Sequence, residues 1–307
     1  MKILFYDTKK YDRDSFEKIL PEYSDLEVEF LEADLSPRTA ALAKGYDAIC
    51  AFVSSDVSEK VVECLAVNGV KLVLMRCAGF NNVDLDAATA HGVCVMNTPG
   101  QNSNAVAELA FGMMVMAVRN MYNGTSGTEL KGKKLGIHAY GNVGRNVARI
   151  AKGFGMEIYA FDAFCPKEVI EKDGVTAVDS ADELYSTCNV VSLHIPATAE
   201  TKNSINYALV NKMPKNGVLV NTARKEVINE AELIQLMEER GDLKYMTDIM
   251  PAAHETFAAK FAGRYFSTPK KMGAQTAEAN INAGIAAAQQ IVGFLKDGCE
   301  KFRVNKK

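Results

Sequence analysis

The stretch from Leu135 to Asp162 places groups with dinucleotide-binding chemistry at the spacing that chemistry needs. An apolar run, Leu135 to Ala139, leads directly into Tyr140-Gly141-Asn142-Val143-Gly144. Gly141 lets the backbone approach a pyrophosphate, and Gly144 lets the following helix pack close on the strand. Apolar residues at Val147, Ile150, Ala151 and Phe154 have helical spacing. The free N–H groups at the start of that helix can hold a diphosphate, with contacts expected from Tyr140, Gly141, Asn142 and Val143. A second apolar strand, Met156 to Phe161, ends in Asp162. A carboxylate there accepts from the adenosine ribose hydroxyls and repels a 2′-phosphate, which favours NAD over NADP. Ala139 occupies the place of the first glycine of the usual G-x-G-x-x-G, so a tight turn of altered geometry is expected.

The elements that position this turn recur along the chain. Strand patterns fall at Lys2 to Tyr6, Leu26 to Leu31, Ala48 to Val53, Lys71 to Arg76 and Val93 to Asn97, with helical segments such as Ser15 to Ile19, Ser58 to Val67 and Leu85 to His91 between them. Such alternation predicts a parallel sheet covered by helices on both faces. Asn104 to Asn120 reads as a helix apolar nearly all round, which must be buried on several sides and could also contribute to a subunit interface. The rhythm restarts at Leu135, with later strands at Val190 to Ile195, Val218 to Asn221 and Tyr245 to Ile249. A last helix from Ala277 to Leu295 is stopped by Gly298.

At 307 residues the chain is long enough for two domains. A net charge of −3 gives no reason to expect a nucleic-acid or anionic-membrane partner. The seven cysteines are odd in number and lack C-x-x-C spacing, so free thiols of a cytoplasmic protein are expected rather than disulfides or a metal site. The apolar run at the N-terminus is too short for a signal peptide, and Leu109 to Val118 is too short to span a bilayer.

Several further segments, in order, resemble the D-isomer-specific 2-hydroxyacid dehydrogenases. Arg76-Cys77-Ala78-Gly79-Phe80-Asn81-Asn82-Val83-Asp84 is similar to that family's substrate-binding loop. Asn97-Thr98-Pro99-Gly100-Gln101-Asn102 is similar to the entry of its crossover helix, and Leu193-His194-Ile195-Pro196 with Thr201 to its cofactor-side loop. Val220-Asn221-Thr222-Ala223-Arg224 is similar to the segment carrying its catalytic arginine. The resemblance implies two doubly wound parallel-sheet α/β domains. A flavodoxin-like substrate domain would take residues 1–99, completed by about 281–307. A Rossmann domain would take residues 100–280, with the active site in the cleft between the two. It further implies Ser54, Arg76, Ala78, Gly79, Phe80 and Asn102 at the substrate, and His194, Ile195, Pro196, Thr201, Thr222, Ala223, Asp248 and Gly273 at the cofactor. Arg224 suits the carboxylate of a 2-keto acid because its planar guanidinium binds bidentately and stays charged.

The chain departs from that pattern at the proton donor. Relatives use a histidine oriented by a glutamate. Aligning on Gly273-Ala274-Gln275-Thr276 puts Lys271 in the histidine's place, whereas aligning on Thr268-Pro269 alone would put Lys270 there. The glutamate's position holds Ala253. His254 and Glu255 have the wrong spacing and read as solvated, while His138 reads as part of the buried first strand. The combination is similar to a short, lysine-containing branch of D-3-phosphoglycerate dehydrogenases, which implies a place in serine biosynthesis. Lys271 is then the acid in reduction and the base in oxidation, with its pKa lowered by desolvation and by Arg224.

The substrate loop points two ways. Phe52-Val53-Ser54-Ser55-Asp56 carries no cation for a phosphate and, with Arg76 to Phe80, is also similar to D-lactate dehydrogenases. Arg76, or a lysine such as Lys9, could still bind a phosphate. A homodimer is expected, through the Asn104 to Asn120 region. A nucleotide sensor that binds NADH without turnover is the reading from outside the enzymes.

Overall fold

The structure, a computed structural model, describes residues 1–23 and 25–305. Its elements in chain order are β1 (Lys2–Phe5), α1 (Lys10–Ile19), β2 (Glu27–Phe30), β3 (Ala48–Ala51), α2 (Glu59–Val67), β4 (Leu72–Met75), α3 (Leu85–Ala90), β5 (Cys94–Asn97), α4 (Ser103–Val118), β6 (Lys134–His138) and α5 (Asn142–Gly153). Then follow β7 (Glu157–Phe161), α6 (Lys167–Lys172), β8 (Thr176–Ala177), α7 (Ala181–Thr187), β9 (Val190–Leu193), α8 (Tyr207–Val210) and β10 (Val218–Asn221). The last are α9 (Glu230–Glu239), β11 (Lys244–Thr247), α10 (His254–Lys260), β12 (Tyr265–Ser267) and α11 (Ala277–Asp297).

The chain divides into two compact units, changing over after Asn102 and after Ala274, so that the described C-terminal segment belongs with the first hundred residues. In the first unit five parallel strands run in the order β2-β1-β3-β4-β5. Strands β3, β4 and β5 are buried along their whole length. That explains their apolar sequences, interrupted only by Asn97 at the end of β5, since helices cover both faces of a parallel sheet. The C-terminal segment closes the β5 edge. Val304 N donates to Val95 O at 2.8 Å, and the Asn305 side chain accepts from Val95 N at 2.8 Å. An edge covered in this way has no open backbone row to template association.

In the second unit seven parallel strands run β12-β11-β10-β9-β6-β7-β8. Helix α4, expected to be buried on several sides, has ten buried residues and packs on α5, β10 and β11 within this unit. Its C-terminal end is tied by Lys244, whose Nζ donates to Ala117 O at 2.6 Å and to Asn120 Oδ1 at 2.7 Å. Cations suit the negative end of a helix. Helix α11 ends at Gly298, left-handed at φ 65°, as its glycine stop requires. The ten strands read from sequence are present with ends shifted by a residue or two, and β8 and β12 are additional. His254, expected to be solvated, is half-buried, with its Nδ1 2.9 Å from the Tyr265 hydroxyl. Cys50, Cys64, Cys77, Cys165, Cys188 and Cys299 are free thiols. Among the described residues no helix is long and apolar enough to cross a membrane.

Candidate active site

In the second unit the strand order reverses between β6 and β9. Doubly wound sheets bind ligands outside the carboxyl ends of the strands at such a point. The turn from β6 into α5 lies here. Ala139 takes φ +79°, the left-handed conformation a glycine would otherwise adopt. The tight turn therefore survives, with the strain placed on an alanine. Gly144 is required by packing, because a Cβ there would lie 2.4 Å from Ala139 O. A Cβ on Gly141 would meet nothing within 4 Å, so the face above the turn is open to an approaching phosphate. Asp162 Oδ2 accepts from Tyr140 N at 2.6 Å, and Oδ1 accepts from Phe164 N and Cys165 N at 2.8 and 2.9 Å. The carboxylate thus ties the glycine turn to the loop after β7. Two oxygens offer about four acceptor positions, which leaves room for a ribose hydroxyl. An open glycine face, helix N–H groups and this carboxylate fit a dinucleotide.

Two histidines flank the same point. His138 ends β6 and His194 follows β9, with His194 N donating to His138 O at 2.9 Å. Burial pulls His138 down to about 4, against the pull of Asp162. Burial, and then the neighbouring His138, pull His194 down to about 3. Both rings are therefore neutral at physiological pH. His194 Nδ1 lies 3.4 Å from the Thr222 hydroxyl, and its buried Nε2 has no hydrogen-bond partner among the described residues. In the same loop Ile195 is buried, while Thr201 is committed to the loop itself. Its hydroxyl donates to Pro196 O at 2.6 Å and accepts from Thr198 N at 2.8 Å.

The turn after β10 carries the arginine. Asn221 shapes it: Oδ1 accepts from Ala223 N at 2.9 Å, and Nδ2 donates to Arg224 O at 2.9 Å. Arg224 is exposed, and one guanidinium nitrogen donates to Ala223 O at 2.8 Å. Lys271 reaches the same carbonyl, with Nζ 3.0 Å from Ala223 O. Although the residue as a whole is exposed, its ammonium end is crowded by this turn. Burial first, then Arg224, pull Lys271 down to about 8, while the Asp248 and Glu226 carboxylates pull it up. Lys270 is exposed, so of the two lysines Lys271 is the one brought to the arginine.

Asp248 holds the lysine's loop. It is fully buried. Oδ1 accepts from Met272 N at 2.9 Å and from the Thr268 hydroxyl at 3.1 Å, and Oδ2 accepts from Gly273 N at 2.7 Å. A Cβ on Gly273 would come 2.8 Å from Asp248 Oδ2, so glycine is needed for this clamp to close. The clamp role of Asp248 was not singled out from sequence, because it depends on partners in another segment, whereas Asn221 acts within its own turn on residues two and three positions on. At Ala253, where the family's glutamate would stand, the backbone N–H donates to Glu230 at 2.8 Å.

In the first unit the loop after β4 carries the expected substrate contacts. Asn97 Nδ2 donates to Ala78 O at 2.8 Å, Thr98 N donates to Cys77 O at 3.1 Å, and Gly79 faces open space. Burial pushes the Cys77 thiol up to about 11, so it is not a nucleophile at neutral pH. Phe80 and Asn102 are half-buried, and Ser54 Oγ donates to Asp7 Oδ2 at 3.0 Å. Arg76 is enclosed within the first unit. Its side chain is 2% exposed, paired with Asp12 at 3.2 Å, bonded to Asp7 O at 2.7 Å and Tyr6 O at 3.1 Å, and packed between the Phe5 and Phe52 rings.

Residues 100–262 match the family model of the D-isomer specific 2-hydroxyacid dehydrogenase NAD-binding domain. A 2-hydroxyacid dehydrogenase homolog of Haemophilus influenzae is 38% identical over 253 residues, 78% of this chain and 76% of that protein. The D-lactate dehydrogenase of Escherichia coli is 38% identical over 254 residues, 78% of this chain and 76% of that protein. The NAD⁺-bound crystal structure of 3-phosphoglycerate dehydrogenase from Entamoeba histolytica superposes with a TM-score of 0.84 at 40% identity, covering 100% of this chain and 99% of that one. With a dinucleotide turn at the switch point of one sheet and an arginine and a lysine converging on one carbonyl, the chain belongs to the D-isomer-specific 2-hydroxyacid dehydrogenases and is an NAD-dependent oxidoreductase of that family.

Proposed function

We propose that this dehydrogenase interconverts D-3-phosphoglycerate and 3-phosphohydroxypyruvate, with Arg224 binding the substrate carboxylate and Lys271 moving the proton. The observation that carries this reading is the placement of Lys271 Nζ 3.0 Å from Ala223 O, directly before Arg224. Arg224 presents a planar, permanently charged fork that matches a carboxylate and polarises the adjacent carbonyl. With its pKa near 8, Lys271 is protonated when it donates to the developing alkoxide in reduction. It is also close enough to neutrality to accept that proton in oxidation. Asp248 fixes the loop that carries it. Tyr140 to Val143 would hold the diphosphate of NAD and Asp162 the ribose, and NAD supplies the hydride acceptor when bound. Thr222, Ala223, His194 and Gly273 are the remaining cofactor-side contacts of this reading, and Ser54, Ala78, Gly79, Phe80 and Asn102 the substrate-side ones. The phosphorylated substrate is favoured by a lysine in the histidine's place and by the 40% identity to the Entamoeba enzyme over the whole chain.

A second reading, reduction of pyruvate, is favoured by the 38% identity to the E. coli D-lactate dehydrogenase and by the lack of a cation in Phe52-Val53-Ser54. Consumption of NADH with 3-phosphohydroxypyruvate and with pyruvate, side by side, separates the two. Preference for the phosphorylated acid supports the proposal. Preference for pyruvate supports the second reading, and NADH binding without turnover of either points to a sensor. The proposed assembly is a homodimer in the cytoplasm, built through the α4 region. Half-buried Leu109, Val115 and Met116 on that helix are apolar surface it could cover, and a monomeric mass by light scattering at micromolar concentration rejects it.

A further inference from the structure

Beside the carboxylate proposed for the ribose stands an arginine that the sequence motifs leave without a role. Arg145 directly follows Gly144 on α5, and its guanidinium is held from three sides. Nη1 donates to Asp173 Oδ2 at 3.2 Å, Nη2 lies 3.7 Å from Cys165 Sγ, and Cζ sits 5.1 Å from the centre of the Tyr140 ring. The cysteine places it, because Cys165 N donates to Asp162 Oδ1 at 2.9 Å. Arg145 therefore borders the loop that Asp162 organises. Asp173 is itself fixed: Tyr140, 1% exposed, donates its hydroxyl to the same Oδ2 at 3.1 Å. Burial first, then that bond, push the Tyr140 hydroxyl up, so it stays protonated and donates. Lys152 is spent on the backbone carbonyl of Asp173. All of these residues lie within the second unit.

We propose that Asp173 is a positioning residue that sets cofactor specificity: by holding and neutralising Arg145, it keeps the ribose end of the site closed to the 2′-phosphate of NADP. The inference rests on Asp162 as the ribose contact and goes beyond the substrate reading, since it holds for any 2-keto acid. A 2′-phosphate would replace a ribose hydroxyl at Asp162, and the carboxylate there repels it. That repulsion is offset where an arginine is free beside the ribose, because a guanidinium meets phosphate with two parallel N–H donors. Arg145 is the residue placed to do so. Asp173 prevents it in two ways. It occupies part of the fork, and it brings the charge of the pair to zero, which leaves Asp162 unopposed. The two side chains are 40% and 41% exposed, a setting in which an isolated ion pair contributes little. The hold comes from sharing: one carboxylate oxygen accepts from both Tyr140 and Arg145, while the Tyr140 ring carries the guanidinium. Removing the charge of Asp173 releases Arg145 and sets its positive charge against Asp162. NAD has no group that needs this cation.

The test is the ratio of the dissociation constant of NADPH to that of NADH, read by fluorescence titration with no substrate present. It is measured in the wild type, Asp173→Asn, and Asp173→Asn combined with Arg145→Met. Asparagine is isosteric at this partly exposed position, so the fold is kept and only the charge is lost. The ratio should fall by about tenfold, as expected for the gain of a charge-assisted hydrogen bond to phosphate. Adding Arg145→Met should restore the wild-type ratio, since the group that takes the phosphate is gone. An unchanged ratio in Asp173→Asn overturns the inference, including the case where both cofactors weaken equally, since that marks a structural role. A ratio that stays low in the double variant overturns it too, because Asp173 then acts by its own charge and not through Arg145. Asp162→Asn isolates the ribose reading and should lower the ratio by itself. No change in either single variant overturns that reading, whereas a change only in Asp162→Asn overturns the role of Asp173 alone.

Discussion

Lys271 Nζ and the Arg224 guanidinium share one acceptor, the carbonyl oxygen of Ala223, at 3.0 and 2.8 Å. One oxygen thereby brings two cations together, although like charges so close disfavour each other. The cost falls on the lysine, because an arginine does not deprotonate in a protein and an ammonium can. Burial first, and then this charge, turn a group that ordinarily titrates far above neutrality into one poised near it.

A pH profile follows. The donor in reduction is the ammonium, so kcat for reduction should fall as pH rises through about 8, and kcat for oxidation should rise through the same range. Glu226 pulls Lys271 up, so Glu226→Gln should move both limbs to lower pH. Limbs near the ordinary lysine value, or limbs that move upward in Glu226→Gln, would contradict the assignment.

Ala139 pays for the turn with a positive φ that glycine adopts freely. Ala139→Gly should leave NADH affinity intact and raise stability by about 1 kcal/mol, the usual size of a relieved left-handed residue. Gly144→Ala should do the reverse. Its Cβ would meet Ala139 O at 2.4 Å, so NADH binding and the unfolding midpoint should both drop. Urea unfolding and NADH fluorescence titration read the two effects, and equal stability for all three proteins would refute the strain argument.

The Arg76–Asp12 pair is buried, and removing only one partner leaves an uncompensated charge. Arg76→Met should cost about 3–5 kcal/mol, read as a lower urea midpoint. The double variant Arg76→Met with Asp12→Leu should recover much of that loss. A single variant as stable as the wild type would show that the pair contributes nothing.

The histidine pair predicts acid sensitivity. In the folded chain His138 and His194 take protons only near pH 4 and 3, whereas an unfolded histidine takes one near 6.5. Below about 6.5 the unfolded state therefore binds more protons, and stability falls as pH falls toward those values. Above it the pair contributes no slope. His138→Phe should flatten the decline between pH 6.5 and 4, and a decline equally steep in that variant would count against the explanation.

Much of the scaffold was legible because its strands are buried on both faces and read as apolar runs, as in Leu72–Met75 and in Val218–Asn221 up to its terminal Asn. The strands β8 and β12 escaped notice because they are two and three residues long and only partly buried. At the site, the glycine turn and Arg224 announce themselves locally. The fate of Arg76 does not. Its partners Asp7 and Asp12 lie 69 and 64 residues away in the chain, and only the pairing of β1, β3 and β4 brings them together. The same holds for Asp248, whose three donors arrive from a segment 20 to 25 residues downstream.

The most direct test of the central assignment is single-turnover and steady-state reduction by Lys271→Ala, with NADH affinity measured on the same preparation. A general acid contributes on the order of 10² to 10⁴ in rate, so kcat should fall by about that factor while NADH binds as in the wild type. Near-normal kcat with NADH bound would contradict the account and return Lys271 to the role of a loop residue.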